Sequence, residues 1–190
     1  MRAGAWAVLA VLHAAGASAA DTGDGALTAL RRTLEMPFHE ALLAVIVDPD
    51  TTLAPFTTDG CSGGLSAAWD VAANLFPEFA AAHDGRPPWE DCCIDHDRRY
   101  HDAGGATEAA QSHDARLAAD EDLRRCVVAA GNMRAGALAD YYGVTEAQVR
   151  LAYGAVSDAM FNAVRFGGAP CSGLPWRWGY GYPGCFVLSE

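Results

Sequence analysis

The sequence predicts an all-α domain that is stapled by disulfides and ends in a small irregular tail. Apolar residues recur at helical spacing through most of the chain, and no segment sustains the alternation of a strand. The six cysteines (Cys61, Cys92, Cys93, Cys126, Cys171 and Cys185) are an even set of the kind that closes exported domains.

The chain begins with Met1-Arg2, an apolar stretch from Ala5 to about Ala15, small residues at Ala17-Ser18-Ala19-Ala20, and then Asp21. That is the layout of a secretory signal peptide spanning 1–20, with an uncleaved anchor as the alternative. The run is short for a membrane span, and no later segment reaches the length required. The mature protein is therefore expected to be secreted or periplasmic, with no transmembrane segment. Residues 21–190, about 170 in all, suffice for one domain with its own core. The net charge of −11 argues against a nucleic-acid partner and against attraction to anionic membranes, and suits a protein that holds a divalent cation.

Residues 26–47 read as two short helices broken near Pro37, followed by a loop from Asp48 to Gly64. Helical patterning resumes over 66–82, interrupted by Pro77. A central helix over 89–102 starts after Pro87-Pro88 and stops at Gly104-Gly105. A longer helix covers about 107–130. Thr145 with Gln148 three residues on forms a capping-box start for a helix reaching about Arg165, with Val149, Ala152, Val156, Met160 and Val164 on its core face. After Gly167-Gly168 the tail carries Trp176, Trp178, Tyr180 and Tyr182 between Cys171 and Cys185. Amphipathic rings suit a lipid boundary, and they equally suit covering a core.

The chemistry centres on Cys92-Cys93-Ile94-Asp95-His96-Asp97-Arg98-Arg99-Tyr100. On a helix, Cys92, His96 and Tyr100 share one stripe, with Cys93 and Asp97 beside it. Adjacent Cys92 and Cys93 leave a helix in different directions, so each should tie it to a different neighbour. Downstream, Asp120 precedes Cys126 by six residues. Suppose that Cys92 and Cys126 bond across two antiparallel helices. Four residues forward to His96 advance about 6 Å, and six back to Asp120 travel about 9 Å the same way. A disulfide sets the Cα atoms about 5.5–6 Å apart, so His96 and Asp120 arrive within reach of a hydrogen bond. Tyr100 is expected to pack on this pair, with Asp120 as a possible acceptor for its hydroxyl. The third piece is Thr58-Asp59-Gly60-Cys61-Ser62-Gly63-Gly64, whose glycines let several carbonyl oxygens converge. Beside Asp97, such oxygens describe a calcium site.

Together these elements resemble the secreted phospholipase A2 family. Its hallmarks are a glycine-rich calcium loop containing a cysteine, a helix with Cys-Cys-x-x-His-Asp-x-x-Tyr, and a second, antiparallel helix with Asp six residues before Cys. The resemblance covers about 56–130, leaving 131–190 as an extension that the family does not explain. It implies calcium-dependent hydrolysis of the sn-2 acyl ester of glycerophospholipids at a membrane or micelle surface. By position, His96 is the base, Asp120 its orienting partner, Asp97 the carboxylate ligand of Ca²⁺, and Gly60, Ser62 and Gly64 the carbonyl ligands. The expected disulfides are Cys61–Cys93 from loop to helix, Cys92–Cys126 between helices, and Cys171–Cys185 closing the tail. This chain departs from the pattern in three ways. It has Arg99 where many members carry another cysteine, a longer segment between loop and helix, and an abbreviated calcium loop that leaves Asp59 as a competing ligand.

Two other readings compete. One keeps the fold but drops the catalysis, giving a secreted binding module; intact His96, Asp97 and Asp120 argue against it. The other is a structural zinc module using Cys92, Cys93, His96 and His101, which lacks two separated ligand pairs. His39, His83, His101 and His113 read as solvated, without a role.

Overall fold

The computed structural model describes residues 5–61, 69, 71, 73–75, 80–81, 83 and 85–185, with side chains from residue 26 onward. Among the described residues the regular structure is helical, with no strand. Four α-helices are named here α1 (Ala5–Ile46), α2 (Glu90–His101), α3 (Ala109–Tyr142) and α4 (Glu146–Gly167), with a 3₁₀ turn at Ala103–Gly105. None is long and apolar enough, among those residues, to cross a membrane. The chain divides at Pro37 into two compact units, Met1–Pro37 and Phe38–Glu190.

The expected break at Pro37 into two helices is not found: α1 continues through the proline. Pro37 removes one backbone donor, and its neighbours on both sides keep the helical pattern. In the second unit, α2 follows Pro87-Pro88, opens with Glu90 and Asp91, and closes with Arg98, Arg99 and His101, charges that complement the helix dipole at each end.

α3 runs a further twelve residues past the expected stop at 130. Gly131, inside the helix, is a packing notch. A Cβ there would lie 2.4 Å from Cβ and Cγ of Tyr153 on α4, so only glycine lets that ring seat against the helix. The true end is Gly143, whose φ of 65° is the left-handed conformation in which helices commonly stop. The capping box at the start of α4 forms as expected, with Thr145 and Gln148 each satisfying the other's backbone N–H.

Among the described residues, two clusters make the core. Leu123, Val127, Leu138, Val149, Tyr153 and Met160 pack between α3 and α4 around the buried cysteines, and Leu42, Tyr100, Ala103, Ala119 and Trp178 pack beneath the tail. All three expected disulfides are present: Cys61–Cys93, Cys92–Cys126 and Cys171–Cys185. In the chain-entropy account each contributes about 3 kcal/mol through the unfolded state. Trp178 is fully buried and donates from its indole N–H to Ser112 Oγ at 2.9 Å, while Trp176, Tyr180 and Tyr182 are half-buried. The tail's aromatic cluster therefore covers the core.

Candidate active site

The contacts between α2 and α3 follow a ladder. Cys92 bonds Cys126 with Cα atoms 5.7 Å apart. One turn along α2, His96 Nε2 lies 2.9 Å from Asp120 Oδ1. One turn further, the Tyr100 hydroxyl donates to the same oxygen at 2.6 Å and accepts from Arg116 Nε at 3.2 Å. Arg99 adds an outer rung to Asp122. His96 and Asp120 thus meet at the distance that the spacing of the cysteines implies.

Asp120 is fully buried, and a buried carboxylate requires compensation. Its second oxygen accepts from Arg165 Nη1 of α4 at 3.0 Å. The fully buried Arg116 donates through Nη2 to the carbonyls of Val164 at 2.8 Å and Arg165 at 2.9 Å, neutralising the last turn of α4. Neither arginine is visible as a site residue in the sequence. Their one signal is helical phase, since Arg116 stands one turn before Asp120. Replacing Arg116 by methionine removes a cation from beneath two helix carbonyls and the Tyr100 hydroxyl. The expected cost is about 3 kcal/mol, read as a lower urea midpoint at unchanged m-value.

A carboxylate only accepts, so Nε2 of His96 carries the proton in that bond and Nδ1 holds the lone pair. Nδ1 faces Asp97 Oδ1 at 4.0 Å. Burial pulls the His96 pKa down, but the hydrogen bonds and charges of Asp120 and Asp97 more than offset it, leaving the imidazole more basic than usual. Burial and the Asp120 charge push the Tyr100 phenol well above its ordinary pKa, so it stays a neutral donor. Its ring lies against His96 with centroids 4.1 Å apart.

Asp97 opens onto a pocket of about 280 Å³, lined also by Thr57, Thr58, Asp59, Pro175, Trp176 and Tyr180. Its Oδ2 accepts from Thr58 Oγ1 at 2.5 Å, and that hydroxyl in turn accepts from the Gly60 amide at 3.0 Å. The Tyr180 hydroxyl donates to the Thr57 carbonyl at 2.7 Å. Burial, then the charges of Asp97 and Asp59, push its phenol up to about 12. Of the expected cation ligands, Asp97 lines the pocket together with Asp59. Gly60 does not line it but donates its amide to Thr58, and Ser62 and Gly64 lie outside the described residues. Among the described residues no group of three or more His, Cys, Asp or Glu side chains is placed to hold a metal ion by side chains alone. The donors at the pocket are carboxylate, hydroxyl and carbonyl oxygens, a set that fits a hard cation such as calcium. Thr57 and Thr58 escape a sequence reading focused on the glycines that follow.

The tail fixes this loop. The amide of Ala54 donates to the Gly181 carbonyl at 2.8 Å, Gly181 donates to His101 at 3.0 Å, and Gly179 donates to Tyr100 at 2.6 Å. His101 Nε2 reaches the Ala54 carbonyl at 2.9 Å. The histidines expected to be solvated are in fact buried. His39 lies 2.8 Å from Ser112 Oγ, His83 lies 3.1 Å from the Tyr142 hydroxyl, and His113 lies 3.0 Å from Asp114. Each ring fills core space while a polar neighbour meets a nitrogen. With Cys92 and Cys93 both in disulfides, the zinc-module reading has no thiolates and falls.

Comparison with family models, with curated proteins and with solved structures gave no match.

Proposed function

We propose that the protein is a secreted, calcium-dependent esterase of phospholipase A2 type, acting on the sn-2 acyl ester of glycerophospholipids at a membrane or micelle surface. The observation that carries this reading is the orientation of His96. Its Nε2 is committed to Asp120, and its Nδ1 is turned toward the Asp97 carboxylate at the pocket. α2 and α3 are taken as antiparallel helices carrying the site, which the ladder from Cys92–Cys126 to Tyr100–Arg116 supports. Residues 1–20 are read as the export signal and 21–190 as the mature domain.

In this mechanism His96 Nδ1 takes a proton from water as the water oxygen bonds to the ester carbonyl carbon. Asp120 holds the imidazole in the required tautomer and favours the imidazolium that forms. When the tetrahedral intermediate collapses, the same proton passes to the departing lysophospholipid oxygen, releasing the fatty acid. Asp97 would hold calcium, with Asp59 and the loop carbonyls of Gly60, Ser62 and Gly64 as the further oxygen donors. When bound there, calcium would supply Lewis-acid polarisation of the ester carbonyl and positive charge for the oxyanion. No protein nucleophile is required.

The test is hydrolysis of phosphatidylcholine vesicles carrying different acyl chains at sn-1 and sn-2, in calcium and in EGTA. The sn-2 acid should appear in calcium alone. Release without calcium, or from sn-1, would contradict the proposal, and no release at all would favour a non-catalytic binding module.

A further inference from the structure

The His96–Asp120 pair stands between α2 and α3, but the second oxygen of Asp120 belongs to α4. Oδ1 is shared by His96 at 2.9 Å and the Tyr100 hydroxyl at 2.6 Å, while Oδ2 is held by Arg165 Nη1 at 3.0 Å. Arg165 lies in the last turn of α4, within the extension that the resemblance leaves unexplained. Its side chain is 12% exposed and meets a carboxylate with no exposure at all.

The end of α4 is built to stand there. Arg116 donates to the carbonyls of Val164 and Arg165, so the guanidinium beside Tyr100 also fixes the backbone that carries Arg165. The C-cap, Gly168, has no room for a side chain: a Cβ there would lie 2.8 Å from a ring carbon of Tyr100 and 2.9 Å from its hydroxyl oxygen. The Gly168 carbonyl then accepts from the Trp178 amide at 2.9 Å. These contacts seat the exit of α4 against Tyr100 and bring Arg165 onto Asp120.

A cation at that oxygen does two things that packing alone does not. The terminal torsion of an aspartate is broad, so donors on one oxygen leave the carboxylate plane loose, and a donor on the other fixes it. Burial also disfavours a charged carboxylate, yet only the charged form is an acceptor at both oxygens. A charge-assisted bond from a guanidinium favours that form.

We propose that Arg165 is a positioning residue for the His96–Asp120 pair: by holding Oδ2 of a charged Asp120, it keeps the imidazole proton on Nε2 and the lone pair of Nδ1 turned toward Asp97. The catalytic consequence rests on the esterase reading above; the effect on the imidazole does not. On this account α4 completes the site.

The test pairs hydrolysis of phosphatidylcholine vesicles in saturating calcium with ¹⁵N NMR of histidine-labelled protein in EGTA, at alkaline pH where imidazole is neutral. In the wild type His96 should show a single tautomer, protonated at Nε2. Arg165→Gln keeps the aliphatic stem and a donor but loses the charge. It should lower turnover about 10–100-fold, the usual cost of removing a group that orients another. Calcium affinity and the half-saturating vesicle concentration should not change, and His96 should become a mixture of tautomers. Arg165→Lys should restore both readouts, because a single Nη1 contact with Asp120 asks for a cation and not a fork. Arg124→Gln removes a different ion pair between α3 and α4, the exposed one with Asp158, and should change neither. In an Asp120→Asn background, Arg165→Gln should cost nothing further. The proposal is overturned if Arg165→Gln keeps wild-type turnover and a single tautomer, if lysine restores neither, or if Arg124→Gln loses as much. The same loss in the Asp120→Asn background would also overturn it. A wild type protonated at Nδ1 would overturn it whatever the variants do. A wild type that releases no fatty acid would defeat the esterase reading, and the His96 tautomer would then decide the role of Arg165 alone.

Discussion

His96→Gln should lower phospholipid hydrolysis by about 10²–10⁴-fold, the loss expected when a general base is removed, with calcium affinity little changed. Glutamine nearly preserves the volume and can still donate to Asp120, so the fold should survive. Asp120→Asn should cost less in turnover, because His96 remains. It should cost more in stability, because Arg165 loses its carboxylate in a buried site. The double variant should be little slower than His96→Gln alone, since an orienting group has no task once the base is gone. The pH profile gives the second readout. The two carboxylates raise the His96 pKa despite burial, so activity should rise with pH through a value above the ordinary imidazole range of about 6.5. Removing the Asp120 charge should move that rise to lower pH at equal calcium. Linkage has a matching sign. A raised native pKa means that this interaction stabilises the fold fully below the ordinary imidazole pKa, and that the gain is lost as pH rises through the native value. An unshifted profile in Asp120→Asn, with multiplicative losses in the double variant, would separate the two residues functionally.

Asp97→Asn should abolish calcium binding, with a loss of at least about 100-fold, and take hydrolysis with it. Asparagine retains an oxygen to accept from Thr58, so the loop should stay docked and the helical circular dichroism unchanged. What disappears is the negative charge that a hard cation requires. Calorimetric titration of calcium into both proteins decides the matter. Equal affinities would shift the ligand role to Asp59, the other carboxylate on that pocket, and Asp59→Asn would then carry the loss.

Local rules predicted well wherever neighbours in sequence are also neighbours in space. The span of α2, the capping box at Thr145 and the stripe of Cys92, His96 and Tyr100 follow from periodicity and capping chemistry alone. The approach of His96 to Asp120 was legible because a disulfide converts two sequence offsets into one distance. Partners from distant parts of the chain were not legible. Arg165 reaches Asp120 across 45 residues, and the Thr58 hydroxyl reaches Asp97 across 39. Nothing local marks such residues as members of a site. The run of α3 past 130 was hidden for a related reason: the notch at Gly131 answers a ring on another helix. The buried histidines illustrate the same limit, since imidazole is amphipathic enough for either environment and only tertiary packing decides.

The wedged tail has a consequence for the order of events during synthesis. The Thr57 carbonyl and the Tyr180 hydroxyl are 123 residues apart, so the loop is made long before the phenol that pins it. A nascent chain possesses α2 and the beginning of α3, hence both halves of the His96–Asp120 pair, while the pocket beside Asp97 still lacks the Pro175, Trp176 and Tyr180 wall. The pocket beside Asp97 is therefore walled only once the tail is in place. A product truncated before Cys171 would keep the dyad but lose the ties from Gly181 to Ala54 and from Tyr180 to Thr57. The position of the tail thus makes the pocket a check on whether the chain has been finished.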